Sequence, residues 1–404
     1  MRKEKLHKEM DSKEKSNKKY WFHKNPKTAV CLFLVFVLIF VESAGQLIYF
    51  FNHSYNFLFQ IQEKKRNLIF TPYGLYEYKS NTFINMEFKY PASLEVDNYG
   101  FIHNGYRKDI EENEYLIFVV GGSTIEGRGA SDNSTTLAAY LEKILNEKSR
   151  RQIRVINAAV LGFNSYQQSH RIDGKIIRDF KPDMIIAIDG RNDAYYMASY
   201  EEWQAYWQPY YDQITADINK LMRSSFTLGS FSNWLTSNFI IPRSFLKIGM
   251  KLLPKKNKII HTRKDYVSDS IVERSINIYL SNHVSVYSKC KFLNIKYYVF
   301  LQPTLAPFLK NHISQEEKEI MDDWSNEYYK KDIYYRALEQ FYKMVLKESR
   351  TSKLTWFFDI SDAFKESREK IYFDSCHYTD QGNYVIASRV AEILFPKIGD
   401  ICDN

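Results

Sequence analysis

The chain has 404 residues, 45% hydrophobic and 26% charged, which is ample apolar sequence for a full core and excludes a disordered chain. Its net charge of +8 is concentrated at one end: residues 1–27 hold ten Lys/Arg against four Asp/Glu, a net +6 that leaves only +2 for the remainder. A body so nearly neutral excludes a large phosphate-binding face, and nucleic acid is not an expected partner.

The basic head (1–27) leads into TAVCLFLVFVLIFVESAGQLIYFF, residues 28–51, in which Ala29–Val41 is uninterrupted apolar sequence. The stretch is long enough to span a bilayer of about 30 Å. A cleaved signal peptide has a similar apolar run. The length of the head, the lack of an A-x-A site and the aromatic Tyr49-Phe50-Phe51 favour an uncleaved anchor, with Glu42 near the end where it reaches water. The Lys/Arg excess before the span predicts a single-pass protein with a cytoplasmic N-terminus, everything after residue 52 lying outside. Cys31 falls in the span; Cys290, Cys376 and Cys402 show neither a C-x-x-C nor a zinc-type spacing and name no disulfide. Residues 52–114 are polar and aromatic with weak periodicity and read as a membrane-proximal lead-in to a domain over 115–404.

From residue 115 the texture changes. Tyr115–Val120 (YLIFVV) is a short apolar run suited to a strand buried on both faces. After a glycine turn, STTLAAYLEKIL places Leu137, Tyr140, Leu141, Ile144 and Leu145 at helical spacing, with Ser134 or Thr135 as the N-cap. Ile153–Asn157 (IRVIN) is a second strand, 165–180 a helix, and Asp183–Asp189 (DMIIAID) a third strand announced by Lys181-Pro182. The alternation returns late, with a helix over 271–293, strands over Lys296–Pro303 and Trp356–Ile360, and a closing helix over 379–395. Such alternation predicts an α/β fold with a parallel sheet and crossover helices. Residues 194–270 break the rhythm and read as an insertion. Its Trp203 and Trp207 would pack it onto the core, with stacking on sugar rings as the alternative, and its basic stretch 254–264 would be a solvated turn or else a contact for anionic lipid headgroups.

In an open parallel sheet, ligands bind beyond the carboxyl ends of the strands. To that edge the chain delivers Gly121-Gly122-Ser123-Thr124, then Gly162 within NAAVLGFNS, then Gly190-Arg191-Asn192-Asp193, and last Asp374 with His377 in YFDSCHYTDQGN. Singly, each reads as an ordinary turn or cap; together they suffice for acyl transfer. A serine hydroxyl becomes a nucleophile when an imidazole takes its proton and a carboxylate fixes the imidazole's tautomer. Ser123, His377 and Asp374 supply those groups, while the N–H of Ser123, the N–H of Gly162 and the side-chain amide of Asn192 form a candidate oxyanion hole. The serine turn is not a P-loop, since no Gly-Lys-Ser/Thr follows, nor a G-x-S-x-G elbow, since Ile125 stands where the elbow has glycine. Arg191 lies close enough to this set to meet an anionic substrate, although a turn residue is the plainer reading. His170 reads as structural and Cys376 as packing.

These blocks, in this order, resemble those of the SGNH (GDSL-type) hydrolases, serine esterases and related acyl-transfer enzymes with a flavodoxin-like three-layer sheet. The blocks here read G-G-S-T-I-E-G, N-A-A-V-L-G-F-N-S, G-R-N-D and D-S-C-H-Y-T-D-Q-G-N, and YYVFLQP (Tyr297–Pro303) is similar to the fifth-strand region of membrane-anchored members. The resemblance covers about 115–395 without the insertion. It implies Ser123 as nucleophile, His377 as base, Asp374 as its partner, and Ser123, Gly162 and Asn192 as the oxyanion hole. Ala159 stands where many members have glycine, a change that narrows the pocket without removing a catalytic group.

The resulting expectation is an anchored serine esterase that needs no cofactor or metal and removes an acyl group, above all O-acetyl, from a cell-envelope or secreted glycan. Lipid esters stay open as substrates. An acyltransferase on the same substrates and a non-catalytic, anchored glycan-binding or assembly protein are the alternatives. The oligomeric state is not legible.

Overall fold

A computed structural model describes residues 24–44, 68–71, 75–85, 93–105, 110–111, 113–199, 267–323 and 331–398. The chain divides into two compact units. One takes residues 1–61 and 223–259, and its described part is a single helix, α1 (Pro26–Ala44), with a mean hydropathy of 2.1 and no buried residue. By length and composition α1 is able to cross a membrane, and a signal sequence meets the same description. Tyr49–Phe51, Trp203, Trp207, the 254–264 stretch and Cys402 lie outside the described residues.

The second unit, residues 62–222 and 260–404, is built on a five-stranded sheet. Two antiparallel hairpins come first: β1 (Leu68–Thr71) with β2 (Leu75–Tyr78), and β3 (Thr82–Asn85) with β4 (Ser93–Val96). The alternating unit then follows as β5 (Tyr115–Gly121), the one-turn helix α2 (Ser123–Glu126), α3 (Leu137–Asn146), β6 (Ile153–Asn157), α4 (Ser165–Arg171, continued by a wider turn to Asp179), β7 (Met184–Asp189), α5 (Arg191–Ser199), α6 (Asp269–Phe292), β8 (Lys296–Leu301), α7 (Gln315–Asp323), α8 (Lys331–Thr351), β9 (Phe357–Asp359) and α9 (Asp380–Ile398).

All pairings in the main sheet are parallel, and the strand order is β6-β5-β7-β8-β9. Numbered within the sheet this is 2-1-3-4-5, the flavodoxin-like order, so the expected α/β fold class holds. β5, β6 and β7 are buried along their whole length, which is why they read as unbroken apolar runs. The first crossover runs opposite to the later ones. Right-handed crossovers therefore put α3 on one face, packed with α9, and α4, α6 and α8 on the other. The reversal falls between β5 and β7, leaving a crevice at their carboxyl ends.

Two features depart from the sequence reading. Helix α3 is capped by Thr136, whose hydroxyl accepts from Ala139 N–H at 3.3 Å, and not by Ser134 or Thr135. Residues Asn133–Thr135 instead form a 3-10 turn of their own, capped by Asp132, which accepts from Ser134 N–H at 2.6 Å. The segment read as a lead-in carries all four hairpin strands. Its Tyr76, Tyr78, Ile84, Leu94, Val96 and Ile102 form a second small core with Val160 and Phe163 of the loop after β6. Ile102 bridges to both Val96 and Asn157, joining the β3–β4 hairpin to the end of β6. Of the stretch read as an insertion, 194–199 completes α5 and 267–270 enters α6, while 200–266 lies outside the described residues.

Candidate active site

Ser123 sits where β5 ends, at the first position of α2, so its backbone N–H has no intrahelical acceptor and points away from the helix. A Cβ on Gly122 before it would lie 2.4 Å from Nδ2 of Asn192, so any larger residue there would displace the Asn192 side chain. β7 ends one strand away and turns through Gly190 into α5, which brings Asn192 to the same crevice. Asn192 donates one amide hydrogen to the Phe163 carbonyl at 2.8 Å, and its second remains available. Gly162 holds φ +74° in the turn that carries Phe163, a left-handed conformation that favours glycine. Among the described residues no acceptor lies on the N–H of Ser123 or Gly162.

The fourth group arrives from the loop between β9 and α9. Asp374 accepts from the backbone N–H groups of Cys376 (2.9 Å) and His377 (3.0 Å) through one oxygen, which folds the loop back on itself. Its other oxygen lies 2.6 Å from Nδ1 of His377, and Nε2 of His377 lies 2.7 Å from Oγ of Ser123. Three side chains spread over 254 residues of sequence thus form one unbroken chain of hydrogen bonds. The structure brings together Ser123, Asp374 and His377, and sets Asn192 and the Gly162 turn beside them. Ser123 and His377 are buried, while the Asp374 side chain keeps 31% of its surface exposed.

Burial alone would disfavour the imidazolium. The Cys376 sulfur, 3.8 Å from either ring nitrogen, and the Asp374 carboxylate outweigh it and push His377 up to about 10. Below the asparagine turn, burial and the nearby Asp189 raise the Asp193 carboxyl to about 6, where it accepts from Ser165 N–H (3.1 Å) and Oγ (2.6 Å). Asp193 thereby ties the Asn192 turn to the start of α4, directly after the Gly162 turn. Asp374, Cys376 and His377 hold ligand atoms within 4.8 Å of one another. A metal on that set would have to displace the Asp374–His377 hydrogen bond, so the arrangement suits proton transfer better than coordination.

Several supporting residues were not singled out in the sequence. Tyr78 of β2 donates to the Glu126 carboxylate of α2, and its oxygen accepts from Leu161 N–H at 3.4 Å. Tyr76 donates to Leu161 O at 2.7 Å. Asn157 donates to Ile125 O at 2.9 Å and accepts from Ala159 N–H at 3.2 Å, so the Ala159 loop and α2 share one buried amide. Thr124 donates to Cys376 O at 3.4 Å. His170 contacts Tyr166 O at 2.8 Å on α4 and takes no part in the site.

A scan against protein-family models finds no match, and neither does a search of curated proteins. Among solved structures the chain is similar to an acetylxylan esterase of Geobacillus stearothermophilus, at 14% identity and a TM-score of 0.36 over 70% of this chain and 95% of that one. A second acetyl xylan esterase is 12% identical, with a TM-score of 0.38 over 69% of this chain and 100% of the other. A Desulfitobacterium hafniense protein described as of the G-D-S-L lipolytic family is 9% identical, with a TM-score of 0.36 over 70% and 100%. Likeness at this level says nothing about what this chain acts on.

Proposed function

We propose that the chain is a serine esterase of the SGNH type, removing an acyl group, above all O-acetyl, from a glycan of the cell envelope or a secreted glycan. The observation that carries this reading is the chain of hydrogen bonds from Ser123 Oγ through His377 to Asp374 at the switch point of a flavodoxin-like sheet. Ser123 Oγ attacks the ester carbonyl carbon while Nε2 of His377 takes its proton. Asp374, bonded to Nδ1, holds the ring in the tautomer that accepts at Nε2 and stabilises the imidazolium. The carbonyl oxygen, now negative, is met by the N–H of Ser123, the N–H of Gly162 and the second amide hydrogen of Asn192. Collapse breaks the C–O bond to the sugar oxygen, which takes the proton from His377. Water, deprotonated in turn by His377, then releases the acyl group from Ser123. No metal or cofactor enters these steps.

The α1 helix anchors the chain in this reading, with the basic head in the cytoplasm and the catalytic unit outside. Acetylated sugars then reach the site without crossing a membrane. The test is acetate release by the detergent-solubilised chain from a panel of O-acetylated oligosaccharides, with and without added sugar acceptors. Free acetate independent of acceptor supports the esterase; acetyl appearing on the acceptor instead would reassign the chain as a transferase. No turnover of any acyl ester by folded protein would remove the enzyme reading.

A further inference from the structure

Arg191 stands between Gly190 and the oxyanion residue Asn192, and it is only 4% exposed. Its Nε donates to Thr304 Oγ1 at 3.0 Å, and that hydroxyl donates to Ser375 O at 3.0 Å, in the loop of Asp374 and His377. Arg191 therefore belongs to one of the two loops that frame the site and is linked to the other through the Thr304 hydroxyl, two hydrogen bonds away. It forms no ion pair with a carboxylate among the described residues, and its two terminal nitrogens have no acceptor there. The groups whose fields reach it most strongly are Tyr334, Cys376, Tyr342 and Tyr195, none of them a carboxylate. It also occupies the first turn of α5, the helix end at which a cation is disfavoured.

A buried charge ordinarily has an opposite charge beside it, because desolvation is costly. The Tyr195 ring, 4.8 Å from the guanidinium carbon, offsets only part of that cost, since a ring quadrupole is a weaker partner than a carboxylate. A fork of free N–H donors beside the proposed oxyanion hole matches the geometry of a planar carboxylate.

We propose that Arg191 is a substrate-recognition residue that takes a carboxylate carried by the ester substrate. The inference rests on the esterase reading and narrows it to acidic substrates. The carboxylate can lie on the acyl chain, as in a hemisuccinate, or on the sugar, as in an acetylated uronic acid, and the guanidinium serves either.

The test uses the full-length chain in detergent and two matched pairs of esters. One pair is an aryl hemisuccinate against an aryl butyrate; the other is an O-acetylated methyl glucuronide against the O-acetylated methyl glucoside. The expected result is a kcat/KM preference of about tenfold or more for the acid in one pair, which also identifies the source of the charge. In Arg191→Gln that preference falls to near unity, while Arg191→Lys, which keeps the charge without the fork, retains part of it. Should Arg191→Gln fail to fold, the wild-type and Arg191→Lys ratios still decide. Equal rates for acid and neutral esters in both pairs, or a preference unchanged in Arg191→Gln, would overturn the inference. Turnover of the neutral esters shows that the esterase reading stands independently of that result.

Discussion

His377 can accept a proton from Ser123 only when its ring is neutral, and its surroundings favour the charged form. Burial works against the imidazolium, but the Cys376 sulfur and the Asp374 carboxylate prevail and raise its pKa. The sign follows: the active form gains population as pH rises, so kcat/KM for a neutral aryl ester should climb through pH 6.5, the ordinary histidine value, and continue upward. A profile already flat from pH 5 would contradict the assignment of the base. Removing the sulfur in Cys376→Ala takes away the strongest of the raising influences, so the limb should move to lower pH; an upward move would show that the sulfur acts otherwise. Asn192→Ala removes one proposed oxyanion donor, and kcat should fall roughly 10²–10³-fold with little change in KM, read from steady-state kinetics.

At the scale of elements, the Ser123 turn is held from outside the main sheet. Tyr78, brought by the β1–β2 hairpin, donates to Glu126 of α2, whose side chain is fully buried. Tyr78→Phe leaves that carboxylate with one donor fewer and should lower stability by about 1–3 kcal/mol in urea unfolding. It should also reduce kcat, because α2 places Ser123; unchanged kcat and stability would show the brace to be idle. The main-sheet strands were legible because parallel strands buried on both faces appear as continuous apolar runs, and YLIFVV and MIIAID do so. The four hairpin strands were not, since stretches as short as LIFT, LYEY, TFIN and SLEV are too brief to show a period. The brace itself joins residues 48 apart and left no local mark. The cap was missed for a different reason: Ser131-Asp132-Asn133-Ser134-Thr135-Thr136 offers a cap at every position, and packing chose among them. Helix α8 was readable in principle, for its buried Ile333, Tyr334, Ala337, Leu338, Phe341, Tyr342 and Val345 lie three and four apart. The groups proposed as catalytic were legible as a set because each follows a strand end, and the sheet order alone brings strand ends together.

For the molecule as a whole, the hairpins belong to the same compact unit as the sheet, which begins at Gln62. A fragment starting at residue 62 should keep esterase activity, and one starting at residue 115 should lose it together with Tyr76 and Tyr78. Equal activity in both would return 62–114 to the role of a passive lead-in. The central claim is that Ser123, activated by His377, is the nucleophile of this chain. The measurement that tests it most directly is mass-spectrometric mapping of the residue modified by a fluorophosphonate probe, on the wild-type chain and on its Ser123→Ala and His377→Ala variants. The expected result is a single adduct on Ser123 in the wild type, none in Ser123→Ala and very slow labelling in His377→Ala. A folded wild-type chain that takes no label, or takes it at another residue, would contradict the account.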